Sequence, residues 1–172
     1  MLFKFLFISM MATALLLDEA QSVNTCPRWV KLNKSPVCFG ARGNQYGRFS
    51  YHRNVFVSQF MLVHRSGTVS CDKKAYSYWG CTPNHASINV VLADTQNRIL
   101  APAASKVNSK HGWYGLAGYT SSSSVLMFCA HKKPQCIFRN SELRLWYAED
   151  LKGYTEHDNG GKTCADVYAL LA

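Results

Sequence analysis

The densest run of potential cation ligands in this 172-residue chain lies between Glu149 and Gly161, in the stretch EDLKGYTEHDNGG. Calcium takes about six to eight oxygens from carboxylates, amide side chains and backbone carbonyls gathered on a bent loop. Glu149, Asp150, Glu156, Asp158 and Asn159 offer such oxygens, and Gly160-Gly161 offers the bend. The spacing is not that of an EF-hand. The same residue types also make a polar Asp-Asn-Gly-Gly turn ahead of a strand, and turn chemistry alone accounts for them.

Aromatic residues form a second set. Tyr76, Tyr78 and Trp79 lie between Cys71 and Cys81, beside Lys73 and Lys74. Trp113, Tyr114 and Tyr119 lie in a glycine-rich stretch that begins His111-Gly112. Exposed rings stack on sugar faces, and neighbouring cations pair with sulfate or carboxylate. The competing reading is that these rings fill the core, where aromatics dominate burial.

Catalytic patterns are missing. The six histidines, His52, His64, His85, His111, His131 and His157, are scattered without metal-ligand spacing. There is no HExxH, GxSxG or P-loop sequence, so the chain reads as a non-enzyme.

These side chains must be positioned by strands. Apolar and β-branched runs occur at Val55–Val63, Ile88–Ala93, Arg98–Leu100, Val125–Cys129 and Cys136–Phe138. Leu143, Leu145 and Tyr147 alternate with Arg144 and Trp146; Ala165, Val167 and Ala169 alternate with Cys164, Asp166 and Tyr168. Turn residues punctuate these runs, and one short helical turn is expected around Glu149–Leu151. Many short strands predict an all-β fold: a single antiparallel β-sandwich, jelly-roll-like, over residues 23–172.

The leader sets the chemistry of the cysteines. Lys4 precedes an apolar run from Phe5 to Leu17, and Ala20-Gln21-Ser22 offers a cleavage site before Val23, the pattern of a signal peptide over 1–22. This apolar-rich run of thirteen residues is too short for a transmembrane segment, which needs about 20. A secreted chain oxidises its cysteines. Cys71 with Cys81 and Cys129 with Cys136 would each staple a local loop. Cys38 with Cys164 would tie the start of the domain to its end, leaving Cys26 unpaired. One sequence does not fix this connectivity. A leftover thiol raises the prospect of a disulfide-linked dimer. Asn33-Lys34-Ser35 is a glycosylation sequon, followed at once by Pro36, which disfavours its use.

Charge is uneven along the chain. Residues 23–141 hold fifteen Lys and Arg against Asp72 and Asp94, a net of +13, whereas residues 142–172 carry a net of −3. Such a field favours an anionic glycan, or a matrix or mineral surface, and extracellular location disfavours nucleic acid. With no block of five or six like charges, dispersed solubilising lysines account for it equally well.

Several segments together resemble a loosely defined group of secreted domains from corals, sea anemones and their relatives. They are Ser35–Ala41 (SPVCFGA), Leu62–Gly67 (LVHRSG), Tyr78–Cys81 (YWGC) and, above all, Leu143–Tyr168. Members carry four cysteines corresponding to Cys38, Cys71, Cys81 and Cys164; Cys26, Cys129 and Cys136 are additional here, and Ala148 replaces a usual glycine. The resemblance carries no established activity. It implies an extracellular module, and the residues point first to lectin-like binding of anionic glycan. A structural role in an organic matrix and a membrane-directed toxin are the alternatives.

Overall fold

The computed structural model describes residues 28–172. The expected leader and Cys26 lie outside them.

Two antiparallel sheets face each other across one apolar core. In chain order the strands are β1 (Trp29–Lys31), β2 (Val37–Gly40), β3 (Gly47–Ser50), β4 (Val55–Ser70), β5 (Ser87–Ile88) and β6 (Val90–Ala93). They continue with β7 (Ile99–Ala101), β8 (Tyr114–Gly115), β9 (Val125–Met127), β10 (Gln135–Ile137), β11 (Glu142–Tyr147) and β12 (Gly160–Leu171). The larger sheet runs β1-β12-β4-β10, with β2 also on β12 and β9 on β4; the second runs β3-β11-β6-β7. β5 and β8 make a small ribbon.

The pattern of β12 explains its place at the centre. Ala165, Val167 and Ala169 are fully buried, and alternation puts them on the core face with Phe60, Leu62 and Val57 of β4. From the second sheet come Val90, Leu92, Leu143 and Leu145, also fully or almost fully buried. The fold is thus the all-β, disulfide-stapled sandwich that the strand pattern implies.

The longest ladder, β4 on β12, extends from Ser70↔Gly160 to Val57↔Leu171. The sequence reading stopped this strand at Val63 because Ser66-Gly67 reads as a turn. The strand instead continues through Gly67, whose φ of +76° and close approach to the Lys162 carbonyl exclude a side chain. Nearby the register skips a residue: Cys164 faces Ser66 and Ala165 faces His64. Arg65 is the unpaired residue of this β-bulge.

Two disulfides are present among the described residues. Cys38 and Cys164 sit directly opposite each other on β2 and β12, with Cα atoms 3.9 Å apart. Cys71 and Cys81 close the loop after β4, with Cα atoms 4.8 Å apart. The pairing expected between Cys129 and Cys136 is not formed, and both thiols are free and exposed. The reason is register. The Phe128 N–H bonds to the Phe60 carbonyl, whereas Cys136 faces Phe56. That separates the two cysteines by roughly 10 Å along β4, at about 3.3 Å per residue, beyond the ~7 Å Cα limit for a disulfide.

Candidate functional site

The connection from β11 to β12 crosses from one sheet to the other, and it carries the acidic stretch. The expected helical turn is the five-residue helix α1 (Ala148–Lys152), which starts as soon as β11 ends. Gly153, with φ of +61°, closes it in the left-handed conformation that favours glycine. A single 3₁₀ turn, Glu156–Asp158, and Asn159 then lead into β12. Both aromatic segments border this connection. Lys73 donates to the His157 carbonyl at 3.0 Å, and the Tyr76 ring lies against Gly160-Gly161. On the other side, Trp113 meets Tyr147 edge-on at 6.3 Å, and Lys110 sits 5.5 Å over the Tyr154 ring.

The carboxylates divide into two groups. The first, Asp150 and Glu156, grips the loop between β2 and β3. Asn44 N–H donates to Asp150 Oδ1 at 3.0 Å, and Gly43 N–H donates to Glu156 Oε2 at 2.8 Å. Burial, with the hydrogen bond to Glu156, pushes Asp150 up to about 6. The same hydrogen bond, with the Gly43 N–H, holds Glu156 below the ordinary carboxylate value. The pair therefore shares a proton over a range where isolated carboxylates have none.

The second group points inward. Glu149 is 4 % exposed and Asn159 fully buried. The Glu149 N–H donates to Asn89 Oδ1 at 2.7 Å, and Glu149 Oε1 accepts from the Thr155 hydroxyl at 3.1 Å. Asn159 Nδ2 donates to the Ala41 carbonyl at 2.9 Å. That leaves Glu149 Oε2, Asp158 Oδ1 and Asn159 Oδ1 buried with no donor. Burial raises the Glu149 carboxyl above its ordinary value; hydrogen bonding with Thr155, Trp113 and Asn159 opposes this, and the nearby Asp158 charge adds to it. Burial, then the charges of Glu149, Asp72 and Asp158, hold the Tyr147 hydroxyl well above its ordinary value. Three unpartnered oxygens on one connection, with two carboxylates among them, suit a hard cation or hydroxyl donors.

These carboxylates do not form a tight preformed cage. Among the described residues, Cys71, Asp72 and Cys81 form the one trio of His, Cys, Asp or Glu with ligand atoms all within 4.8 Å of one another. Their sulfurs are committed to a disulfide.

The aromatic residues separate sharply. Trp79 is fully buried and its indole donates to the Ser123 carbonyl at 2.6 Å; Tyr114 is 5 % exposed and its hydroxyl donates to the Val90 carbonyl at 2.6 Å. Both are core residues rather than an exposed platform, because each ring's polar atom finds a backbone acceptor inside. Tyr78 is half-buried and stacks on His64 at 3.8 Å. Of the expected platform, Tyr76 at 40 % exposure and the half-buried Trp113 remain available at the acidic recess, with Lys73 and Lys74 exposed. Sequence reasoning missed Asn89, whose side chain and carbonyl fix the start of α1. Its only sequence signal is a polar residue inside an otherwise apolar run.

The Asn33 sequon is closed. Asn33 is 4 % exposed; its amide donates to Ser35 O and Asp166 Oδ1 and accepts from the Val167 N–H.

The fold and its connections define a small antiparallel β-sandwich domain with two disulfides and polar residues gathered on the crossing between its sheets. The solved structure of AJLec from the sea anemone Anthopleura japonica is similar, with a TM-score of 0.77 and 35% sequence identity, covering 86% of this chain and 99% of that one. The chain belongs to the same family as AJLec. No protein-family model matches the sequence, and no curated protein does. No helix among the described residues is long and apolar enough to cross a membrane.

Proposed function

We propose that this chain is a secreted, non-enzymatic, lectin-like module that binds glycan at the recess of Glu149, Asp158 and Asn159, with calcium as the bridging ion. The observation that carries the reading is the trio of buried oxygens without donors, from three residues on one loop. Such atoms cost free energy unless something partners them, and a calcium ion is a partner that would take oxygens of all three kinds. Trp113 and Tyr76 at the margins supply apolar ring faces for a sugar, and its hydroxyls complete the ion's oxygen shell. The AJLec relative, whose name is that of a lectin, supports a glycan as the ligand class. Its likeness, the disulfides and the leader pattern support secretion.

Glu149→Gln keeps the shape and removes the charge. Calorimetric titration of calcium into this variant is expected to show affinity reduced about tenfold or more, about 1.4 kcal/mol. Glycan-array binding by the parent is expected to vanish in EDTA. Equal glycan binding with and without EDTA, by parent and variant alike, would overturn the role of calcium.

The formal net charge of +9 favours an anionic glycan over a neutral one. The carboxylates of Glu149 and Asp158 repel sulfate or carboxylate, so acidic groups of such a glycan need a second, cationic contact.

A further inference from the structure

The second contact has a candidate at the β3 edge of the second sheet. β2 pairs only with β12 and β3 only with β11, so the two strands belong to different sheets although they touch. They meet at Gly47, where a Cβ would lie 2.7 Å from the Cys38 carbonyl oxygen. From that point β3 and the segment before β2 diverge, opening a wedge of about 440 Å³ lined by Asn33–Cys38 and Gly47–Ser50. The volume falls within the ~300–1,000 Å³ usual for small-ligand sites.

The wedge is cationic. Its charged lining residues are Lys34 and Arg48, with no carboxylate in the wall. Both are exposed, and neither has a carboxylate within 4.0 Å among the described residues. Ser35 and Ser50 add hydroxyls, and Phe49 adds a half-buried ring.

Register adds a second, independent observation. Arg48 on β3 stands directly opposite Arg144 on β11. Like charges in that position repel and destabilise the pair. Arg144 is satisfied by Glu142 at 2.8 Å and Asn97 at 3.0 Å, and it lies 4.5 Å over the Tyr46 ring. Arg48 has no such compensation. Glu142 does line the neighbouring cavity of about 260 Å³, which shares Arg48, but its carboxylate is committed to Arg144.

We infer that the wedge between β2 and β3 is a second ligand site, taking the sulfate or carboxylate group of an acidic glycan on Lys34 and Arg48. The inference rests on the glycan reading above and adds to it where the acidic group is held. A guanidinium and an ammonium lining one wedge suit a doubly contacted oxyanion.

The test uses a sulfated heparin-derived hexasaccharide and its desulfated counterpart, with the folded chain in EDTA so that calcium does not contribute. The parent is expected to prefer the sulfated probe and to lose affinity as salt rises. The double variant Lys34→Ala/Arg48→Ala is expected to bind it about tenfold or more weakly, as loss of charge-assisted hydrogen bonds requires. Its melting midpoint should be unchanged or higher, because a like-charge pair has been removed. Glu149→Gln is expected to retain sulfated-probe binding. Unchanged affinity in the double variant would overturn the site while leaving the glycan reading intact. A parent that binds neither probe and no array glycan, with or without calcium, would overturn both. Equal binding of sulfated and desulfated probes would overturn the anionic assignment.

Discussion

Asp166 shows how one residue organises a region far from it in sequence. It is 2 % exposed, yet receives Lys31 Nζ at 2.8 Å, Arg65 Nε at 2.5 Å and the Asn33 amide at 2.9 Å. Burial pushes its carboxyl up, but Lys31, Asn33 and Arg65 together hold it below the ordinary carboxylate value. Arg65 reaches it because it is the extra residue of the β4 bulge. A depressed folded-state pKa means the stabilisation is present above the unfolded value, near 4, and is lost as pH falls through the folded value. Asp166→Ala is expected to cost about 2 kcal/mol at neutral pH, since it leaves the buried Asn33 amide short of an acceptor and removes two charge-assisted contacts. The variant's urea midpoint should also fall less steeply than the parent's below pH 4, and a parallel fall would remove Asp166 from the acid response. Alternation in the sequence correctly put Asp166 on the face shared with Cys164 and Tyr168. Its partners were not legible, because strand alternation carries no information about a bulge at residue 65 or about a side chain 133 residues away.

At the level of elements, what was legible followed local periodicity, and what was missed followed close approach between strands. The alternation at 143–147 and 163–170 became β11 and β12, and the short turn at Glu149–Leu151 became α1. β4 was cut short because Gly67 has two opposite meanings: a turn residue, or a bulge that lets another backbone come near. The second applies, as the Lys162 carbonyl occupies the space of a side chain. Gly67→Ala is therefore expected to cost at least about 1 kcal/mol from the positive φ alone, with more from the contact. Chemical denaturation checks this, and an unchanged midpoint would show that β4 and β12 separate easily there. The same blindness to close approach explains the aromatic segments. Nothing local distinguishes Trp79, whose indole reaches the Ser123 carbonyl, from Tyr76, which faces solvent. The acidic stretch was legible as a group of oxygens, but its division into a loop-gripping pair and an inward trio depends on Gly43, Asn44, Ala41 and Asn89.

Across the whole molecule, the contrast between a basic N-terminal stretch and an acidic C-terminal one does not become two charged poles. Folding turns Arg42 and Lys73 to the His157 carbonyl and Lys110 to the Tyr154 ring, so these cations at the acidic connection are engaged within the chain. Lys34 and Arg48, two among several cations without a carboxylate partner, lie instead at the wedge between β2 and β3. The β10 end of the larger sheet carries a different chemistry. Phe56 is 61 % exposed and Phe138 65 %, and Cys136 sits opposite Phe56 with its thiol free. Cys129, at the other end of the β9–β10 connection, is also free, so among the described residues two thiols face solvent while four cysteines are locked in disulfides. Alkylation of the folded protein by iodoacetamide, followed by peptide mass spectrometry, is therefore expected to label Cys129 and Cys136 rapidly. Cys38, Cys71, Cys81 and Cys164 should react only after reduction and unfolding. Protection of both thiols in the native protein, with recovery of a peptide linking Cys129 to Cys136, would require the β9–β10 connection to shift by several residues along β4. That shift would break the Phe128 N–H bond to Phe60 and the His131 N–H bond to Ser58, which hold the connection in register.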